Sequence, residues 1–344
     1  MNGHITIKDI AKICGVGVST VSRALNNHPD INPATRKKIM EVVEEYSFVP
    51  NNSARNLKIT TSNTIAILVK GIANPFFMKM ISVMEEDIQA HHFSMELRHV
   101  DDKTDEVEVA LELIKEKKIQ GIIFLGGLTN HSPEKLESLG VPFVLSTIAM
   151  SGDSQGTYSS ISVDDINESY KITKYLIDRG HRRIAFVGAY DKDVSIGQLR
   201  LQGYLNALKD GGIQADKKLI WLSSEDVDVY TLENGYNIMK DKLEHDEKLE
   251  YTAIVAIADT IALGAIRALI EAGKKVPEDV SVVGFDGIDM GRYSNPSLTT
   301  IKQPFEKMAQ RTTQILFSVM DEQASHSIVT MDAELLERES VKAI

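Results

Sequence analysis

From Thr64 onward the chain alternates short apolar runs with amphipathic stretches, and this rhythm constrains the fold more than any other feature. TIAILVK (64–70), GIIFLGG (121–127), PFVLST (142–147), SISV (160–163), RIAFVG (183–188), AIVAIAD (253–259) and VSVVGFD (280–286) read as buried strands. Between them, residues 76–91, 104–117, 165–179, 198–210, 231–244 and 260–273 carry apolar side chains at helical spacing. Alternating strands and helices imply parallel sheets covered on both faces. The roughly 280 residues involved are many for one such sheet, so two lobes are expected. Ligands then belong at the carboxyl ends of the strands, in the cleft between the lobes.

The first sixty residues have a different texture. Thr6-Ile7-Lys8-Asp9 reads as a capping box with Asp in the acidic position. Ile7, Ile10, Ala11 and Cys14 follow at helical spacing, and Gly15 breaks that helix. A second helix is predicted near Val18, with Val21, Ala24 and Leu25 on its buried side. Asn26-Asn27-His28-Pro29 ends it. A third starts at about Pro33, a good first helical residue, and runs through Ile39, Val42, Val43 and Tyr46. Ala11, Gly15 and Val21 stand where a helix-turn-helix needs a small residue, a turn glycine and an aliphatic plug. The second helix keeps short polar groups and one arginine on its other face, which suits a DNA major groove. Charge agrees: residues 1–60 hold eight Lys/Arg against five Asp/Glu, whereas the remainder holds 30 against 44.

ITIKDIAKICGVGVSTVSRALN, followed by SFVPNNSARNLK, resembles the DNA-binding head of the lactose/galactose-repressor (LacI/GalR) family. The order of strands and helices beyond it is similar to the periplasmic sugar-binding fold of the same family. The resemblance implies an all-α N-terminal helix-turn-helix domain over 1–50. A hinge helix and linker would follow over 51–62. An α/β two-lobed, periplasmic-binding-protein-like (type I) body with parallel sheets would fill 63–344. Its N-lobe is expected at about 63–160 and 291–323, its C-lobe at about 161–290 and 324–344.

Matched position by position, Val18, Ser19 and Arg23 fall where the family reads bases. A guanidinium can grip guanine O6 and N7 together, and Val18 could meet a thymine methyl. Thr6, Ser22, Asn26 and Thr35 are candidates for phosphate contacts. Ala54, Arg55 and Leu57 fall in the hinge helix, with Leu57 matching a leucine that wedges into the minor groove. A free helix so short should melt in water, so DNA and a second copy would have to hold it. One departure is Gly17, where the family has Ser at the start of the second helix.

In the body the resemblance and the residue types together select an effector set. Asn74-Pro75-Phe76-Phe77 follows the first strand, and Phe76 and Phe77 offer an aromatic wall. Asp286 ends a strand with a lone carboxylate, and Arg200 lies early on a helix. Both are types that grip paired hydroxyls or a purine edge. Tyr230, Gln303 and Phe305 complete the matched positions. Ala258 replaces the polar residue that family members carry before the acid matched by Asp259. Val194 stands where purine-binding relatives place an arginine, and the remaining set suits a neutral sugar better than an anion.

The resemblance therefore implies a repressor of carbohydrate-utilisation genes, binding double-stranded DNA at a pseudo-palindromic operator under the control of a small effector. A homodimer is expected, because LLERESVKAI leaves no leucine-heptad tail for a tetramer. Two alternatives are a catabolite-control regulator corepressed by a phosphorylated partner protein, and a solute-binding protein. Catalysis finds no support, since neither GxGxxG nor GxxxxGK[ST] occurs and no Ser/His/Asp set can be assigned. No cofactor or metal is expected; His91-His92 are adjacent and read as solvated. A single cysteine, Cys14, excludes an internal disulfide and fits a reducing compartment. With no secretory pattern in MNGHITIKDI and no long apolar run, a cytoplasmic protein is expected.

Overall fold

A computed structural model describes residues 5–25, 30–46, 48, 63–101, 103–150, 157–190, 194–224, 226–245, 250–322 and 325–344. The chain divides into two compact units, Met1–Ser62 and Asn63–Ile344.

The first unit is helical. Helix α1 (Ile7–Cys14) starts at the expected capping box and stops at Gly15, whose φ of +69° is the left-handed conformation that glycine adopts without strain. Helix α2 (Val18–Leu25) opens with Thr20 and Val21 N–H donating to the Gly17 carbonyl. Helix α3 (Pro33–Glu45) is capped by Asn32, whose Oδ1 accepts from Ala34 N at 2.9 Å. Ile10, Ala11 and Cys14 of α1, Val21 and Ala24 of α2 and Ile39 of α3 form one small buried cluster.

The second unit contains two six-stranded sheets among its described residues. Strands β1 (Thr64–Lys70), β2 (Ser94–Val100), β3 (Gly121–Leu125), β4 (Phe143–Ser146) and β5 (Ser159–Val163) build the first. Helices α4 (Pro75–Ala90), α5 (Glu106–Lys117) and the short α6 (Pro133–Glu137) lie between them. After helix α7 (Asp165–Asp178) the second sheet begins with β6 (Ile184–Gly188), β7 (Ile220–Leu222), β8 (Ala253–Ala256) and β9 (Ser281–Asp286). Helices α8 (Ile196–Asp210), α9 (Leu232–His245) and α10 (Asp259–Glu271) connect these strands, and the short α11 (Asp289–Tyr293) follows β9. The chain ends with β10 (Thr299–Lys302), helix α12 (Phe305–Met320), β11 (Ile328–Met331) and β12 (Glu334–Leu336). Strand orders are β11-β5-β4-β3-β1-β2 and β12-β10-β9-β8-β6-β7. All pairings are parallel except β10 with β12. Central strands such as β3 and β6 are buried at every residue, which is why they read as continuous apolar runs.

The lobe limits differ from the expected ones. The first sheet keeps the chain through Val163, and β10 then extends the second sheet, with Thr299 beside Val283 and Lys302 beside Asp286. The second lobe thus runs to about residue 302 rather than 290. Helix α12 returns to the first lobe, where it packs on α4, β3, β4 and β5. Strand β11 stays there beside β5, so the last crossing comes after Met331 rather than near 323. The cause is the pairing of β10 with β9 and of β11 with the distant β5, which TTIK and IVTM do not announce by pattern.

Candidate functional site

In the first unit, α2 presents two faces. Val21 and Ala24 are buried, while Val18 is 42% exposed and Ser19 and Arg23 are exposed. Spacing by four places Val18 beside Ser22 and Ser19 beside Arg23 on one surface. Ser22 and Thr35 are half-buried. Thr6 is exposed, but its hydroxyl already serves α1: Oγ1 donates to Asp9 Oδ2 at 2.6 Å and accepts from Asp9 N at 3.4 Å. The Thr6 hydroxyl and the Thr6 N–H, the latter at 2.9 Å, both donate to Asp9 Oδ2 and hold the Asp9 carboxyl below its usual range. Asn26, Ala54, Arg55 and Leu57 lie outside the described residues.

In the second unit, the carboxyl ends of the strands enclose a cleft cavity of about 710 Å³ including its mouth. Phe76, Phe77, Arg200, Tyr230, Asp286 and Gln303 all line it. Phe305 is not among the lining residues. It opens α12 and packs partly buried against the core, with the Lys79 ammonium 4.9 Å from its ring centroid.

The cavity floor is a buried charge network. Arg200 is 2% exposed; its Nε donates to Asp165 Oδ1 at 2.8 Å and its Nη1 to the Ile257 carbonyl at 2.5 Å. Nη1 also lies 3.6 Å from Asp286 Oδ1, and the guanidinium stacks 3.6 Å over the Phe285 ring. Asp286 accepts from Gln303 Nε2 and from Asn74 Nδ2, each at 2.8 Å. The Asn74 bond joins the lobes, because Asn74 caps α4 in the first while Asp286 ends β9 in the second.

Burial pushes Asp165 up to about 6 even though the Arg200 charge opposes it. Burial also raises Asp286, again against Arg200. Burial works against the Arg200 charge, but Asp165 and Asp286 outweigh it and hold the guanidinium above its usual value. Asp259 sits deeper, accepting from Thr300 Oγ1 at 2.5 Å and Ile288 N at 2.8 Å, and burial raises its carboxyl well above the usual range. It shapes the β9 turn and does not line the cavity, and neither does the fully buried Ala258.

Two cavity residues hold unusual backbone. Asp286 has φ +112° and Thr147 φ +70°, and a β-branched residue at positive φ is a clear outlier. Such strain is of order 1–3 kcal/mol per residue and concentrates at functional sites. Thr147 is 5% exposed, and among the described residues its Oγ1 has no hydrogen-bond partner. The sequence pattern does not mark Thr147, Asp165 or Lys70 as site residues, and it marks Asn74 only by its place before the aromatic pair. Asn74-Pro75 does signal a helix cap, and Asp165 is the second acid of VDD after a strand. Nothing in the sequence announces Thr147.

Residues 6–51 match bacterial regulatory proteins of the lacI family, and residues 173–341 match the periplasmic binding protein-like domain. The HTH-type transcriptional regulator MalR of Clostridium butyricum is 40% identical over 339 residues, covering 98% of this chain and 99% of MalR. The chain belongs to the LacI family. This LacI-family member is a sequence-specific DNA-binding transcriptional regulator with a helix-turn-helix head. The transcriptional regulator CelR, solved as a cellobiose complex, matches with a TM-score of 0.69 and 28% identity, covering 98% of this chain and 99% of that one. A LacI family regulator from Enterococcus faecium with bound ribose gives 0.69 and 26%, covering 82% and 99%. No helix among the described residues of the LacI-family chain is long and apolar enough to cross a membrane.

Proposed function

We propose that the protein represses carbohydrate-utilisation genes and that a neutral sugar in the interlobe cleft sets its affinity for DNA. The observation carrying this reading is the pairing of a buried acceptor carboxylate, Asp286, with the aromatic walls Phe76, Phe77 and Tyr230. A carboxylate accepts from two neighbouring hydroxyls, and aromatic faces pack on the apolar faces of a sugar ring. The solved relatives with cellobiose and ribose support the same ligand class.

The chain acts as a homodimer on a pseudo-palindromic operator in the cytoplasm, without catalysis. Arg23 reads a base, Val18 and Ser19 adjoin it, and Thr6, Ser22, Asn26 and Thr35 position the head on phosphates. Ala54, Arg55 and Leu57 of the hinge also contact DNA, with Leu57 as the minor-groove wedge. Ligand-dependent lobe closure changes the separation of the two hinges, with a typical coupling of ~1–3 kcal/mol. The test is a melting-temperature survey of neutral sugars, sugar phosphates and nucleosides, with the strongest hit retested for its effect on binding an inverted-repeat duplex. Stabilisation by nucleosides alone, or a hit that leaves DNA binding unchanged, counts against the reading.

A further inference from the structure

Lys70 ends β1 at the cavity wall, and its side chain is only 9% exposed. Its ammonium donates to Glu106 Oε2 at 3.1 Å and to the Thr104 carbonyl at 2.8 Å. Glu106 opens α5 and is buried. Its other oxygen, Oε1, accepts from Leu128 N at 2.7 Å and from His131 Nε2 at 2.8 Å. The backbone passes so closely that a Cβ on Gly127 would lie 2.5 Å from Oε1. Burial opposes the Glu106 charge, but the His131 hydrogen bond and the Lys70 charge outweigh it and keep the carboxyl below its usual range.

The side chains of Asp105, Glu106 and His131 come together closely enough to suggest a metal site. Yet Lys135 pairs with Asp105, and Lys70, Leu128 and His131 occupy Glu106. The cluster is an ion-pair hub. The other cavity cation, Arg200, is likewise matched by Asp165 and Asp286.

We propose that Glu106 is a specificity-determining residue: by holding Lys70 in a buried ion pair, it makes the cleft accept uncharged ligands and reject phosphorylated ones. An anion entering the cavity competes with a carboxylate already in contact with Lys70, and meets that carboxylate's repulsion in a poorly solvated site. The proposal rests on the cleft being the ligand site, and deepens that reading.

Inorganic phosphate at pH 7 is the probe, with chloride at equal ionic strength as the control and the melting temperature of the full chain as readout. The wild-type chain shows no phosphate-specific shift. Glu106→Gln keeps the side-chain shape but frees Lys70, and gains a rise of roughly 3 °C at saturating phosphate. The double variant Lys70→Gln/Glu106→Gln loses that gain, which a purely structural role for Glu106 would not produce. Wild-type stabilisation by phosphate overturns the proposal, and so does a folded Glu106→Gln chain that gains nothing. Should Glu106→Gln not melt cooperatively, Glu106→Asn replaces it; it too removes the negative charge beside Lys70, and absence of any gain in that folded variant is again decisive. A phosphate gain in the variant with no response of the wild type to any neutral sugar would sink the sugar reading and leave the role of Glu106 standing.

Discussion

The head and the body meet their ligands in opposite ways. On α2 the residues proposed to meet DNA, Val18, Ser19 and Arg23, stand exposed on a helix held from behind by a cluster of six buried side chains. In the cleft, Arg200, Asp286 and Asn74 are buried, and Asp286 both pairs with the Arg200 guanidinium and accepts from Asn74. An exposed arginine keeps its hydration and adapts to the base it finds. A buried one must be neutralised by the protein, so its geometry is set in advance. Sequence specificity in the head can therefore change by single surface substitutions, whereas ligand choice in the body is tied to the stability of the lobe.

That contrast is breakable. Arg200→Ala should be the most damaging change: it leaves Asp165 and Asp286 buried without their cation, at about 3–5 kcal/mol. Calorimetry of the body should show the loss; a body that melts unchanged would mean the network is not prebuilt. Ile39→Ala should cost about 2–5 kcal/mol, which a core of six buried residues cannot absorb. Head amide dispersion and DNA binding should vanish while the body transition stays in place. A matching drop in the body would show that the two units do not unfold independently.

Acid should sharpen the difference. Asp165 has its pKa raised from 3.8 to about 6, so the folded chain binds this proton more tightly than the unfolded chain. Stability from this group is greatest below the unfolded value and falls as pH rises from about 4 to 6, by about 3 kcal/mol in total. Asp286 and Asp259 act in the same direction. Glu106 and Asp105, whose values are lowered, act oppositely, their contribution being lost as pH falls. Between pH 7 and 5 the body should hold or gain melting temperature, and Asp165→Asn should flatten that slope. A wild-type body that loses stability steadily over this range would refute the assignment.

Smaller effects belong to the head. Arg23→Ala should leave melting within about 0.5 kcal/mol of wild type yet remove ~1–3 kcal/mol of discrimination at one base position. Selection of sites from a random duplex pool would reveal it, and an unchanged preferred site would deny Arg23 its role. Gly17→Ser should add a few tenths of a kcal/mol by capping α2. A Cβ there meets only Ser19 and Thr20 hydroxyls at 3.6 and 3.8 Å, so a fall in head stability would be unexpected.

The sequence by itself determined the helical head, the alternation of strands and helices, and most of the cavity wall. Those features follow from local rules: a capping box at Thr6 and Asp9, a left-handed turn at Gly15, and strands such as β3 and β6 buried on both faces. Strand β2 left little trace, because an edge strand with exposed Ser94, Leu97 and Arg98 carries no continuous apolar run. Tertiary structure alone decided that β10 joins the second sheet and β11 the first, and that Phe305 packs against the core outside the cavity lining. It also decided the pairings of Lys70 with Glu106, 36 positions away, and of Asn74 with Asp286, 212 positions away. Burial makes such pairs obligatory, since a desolvated charge or amide needs a partner. Which partner it finds depends on strand ends that only the folded sheets bring together.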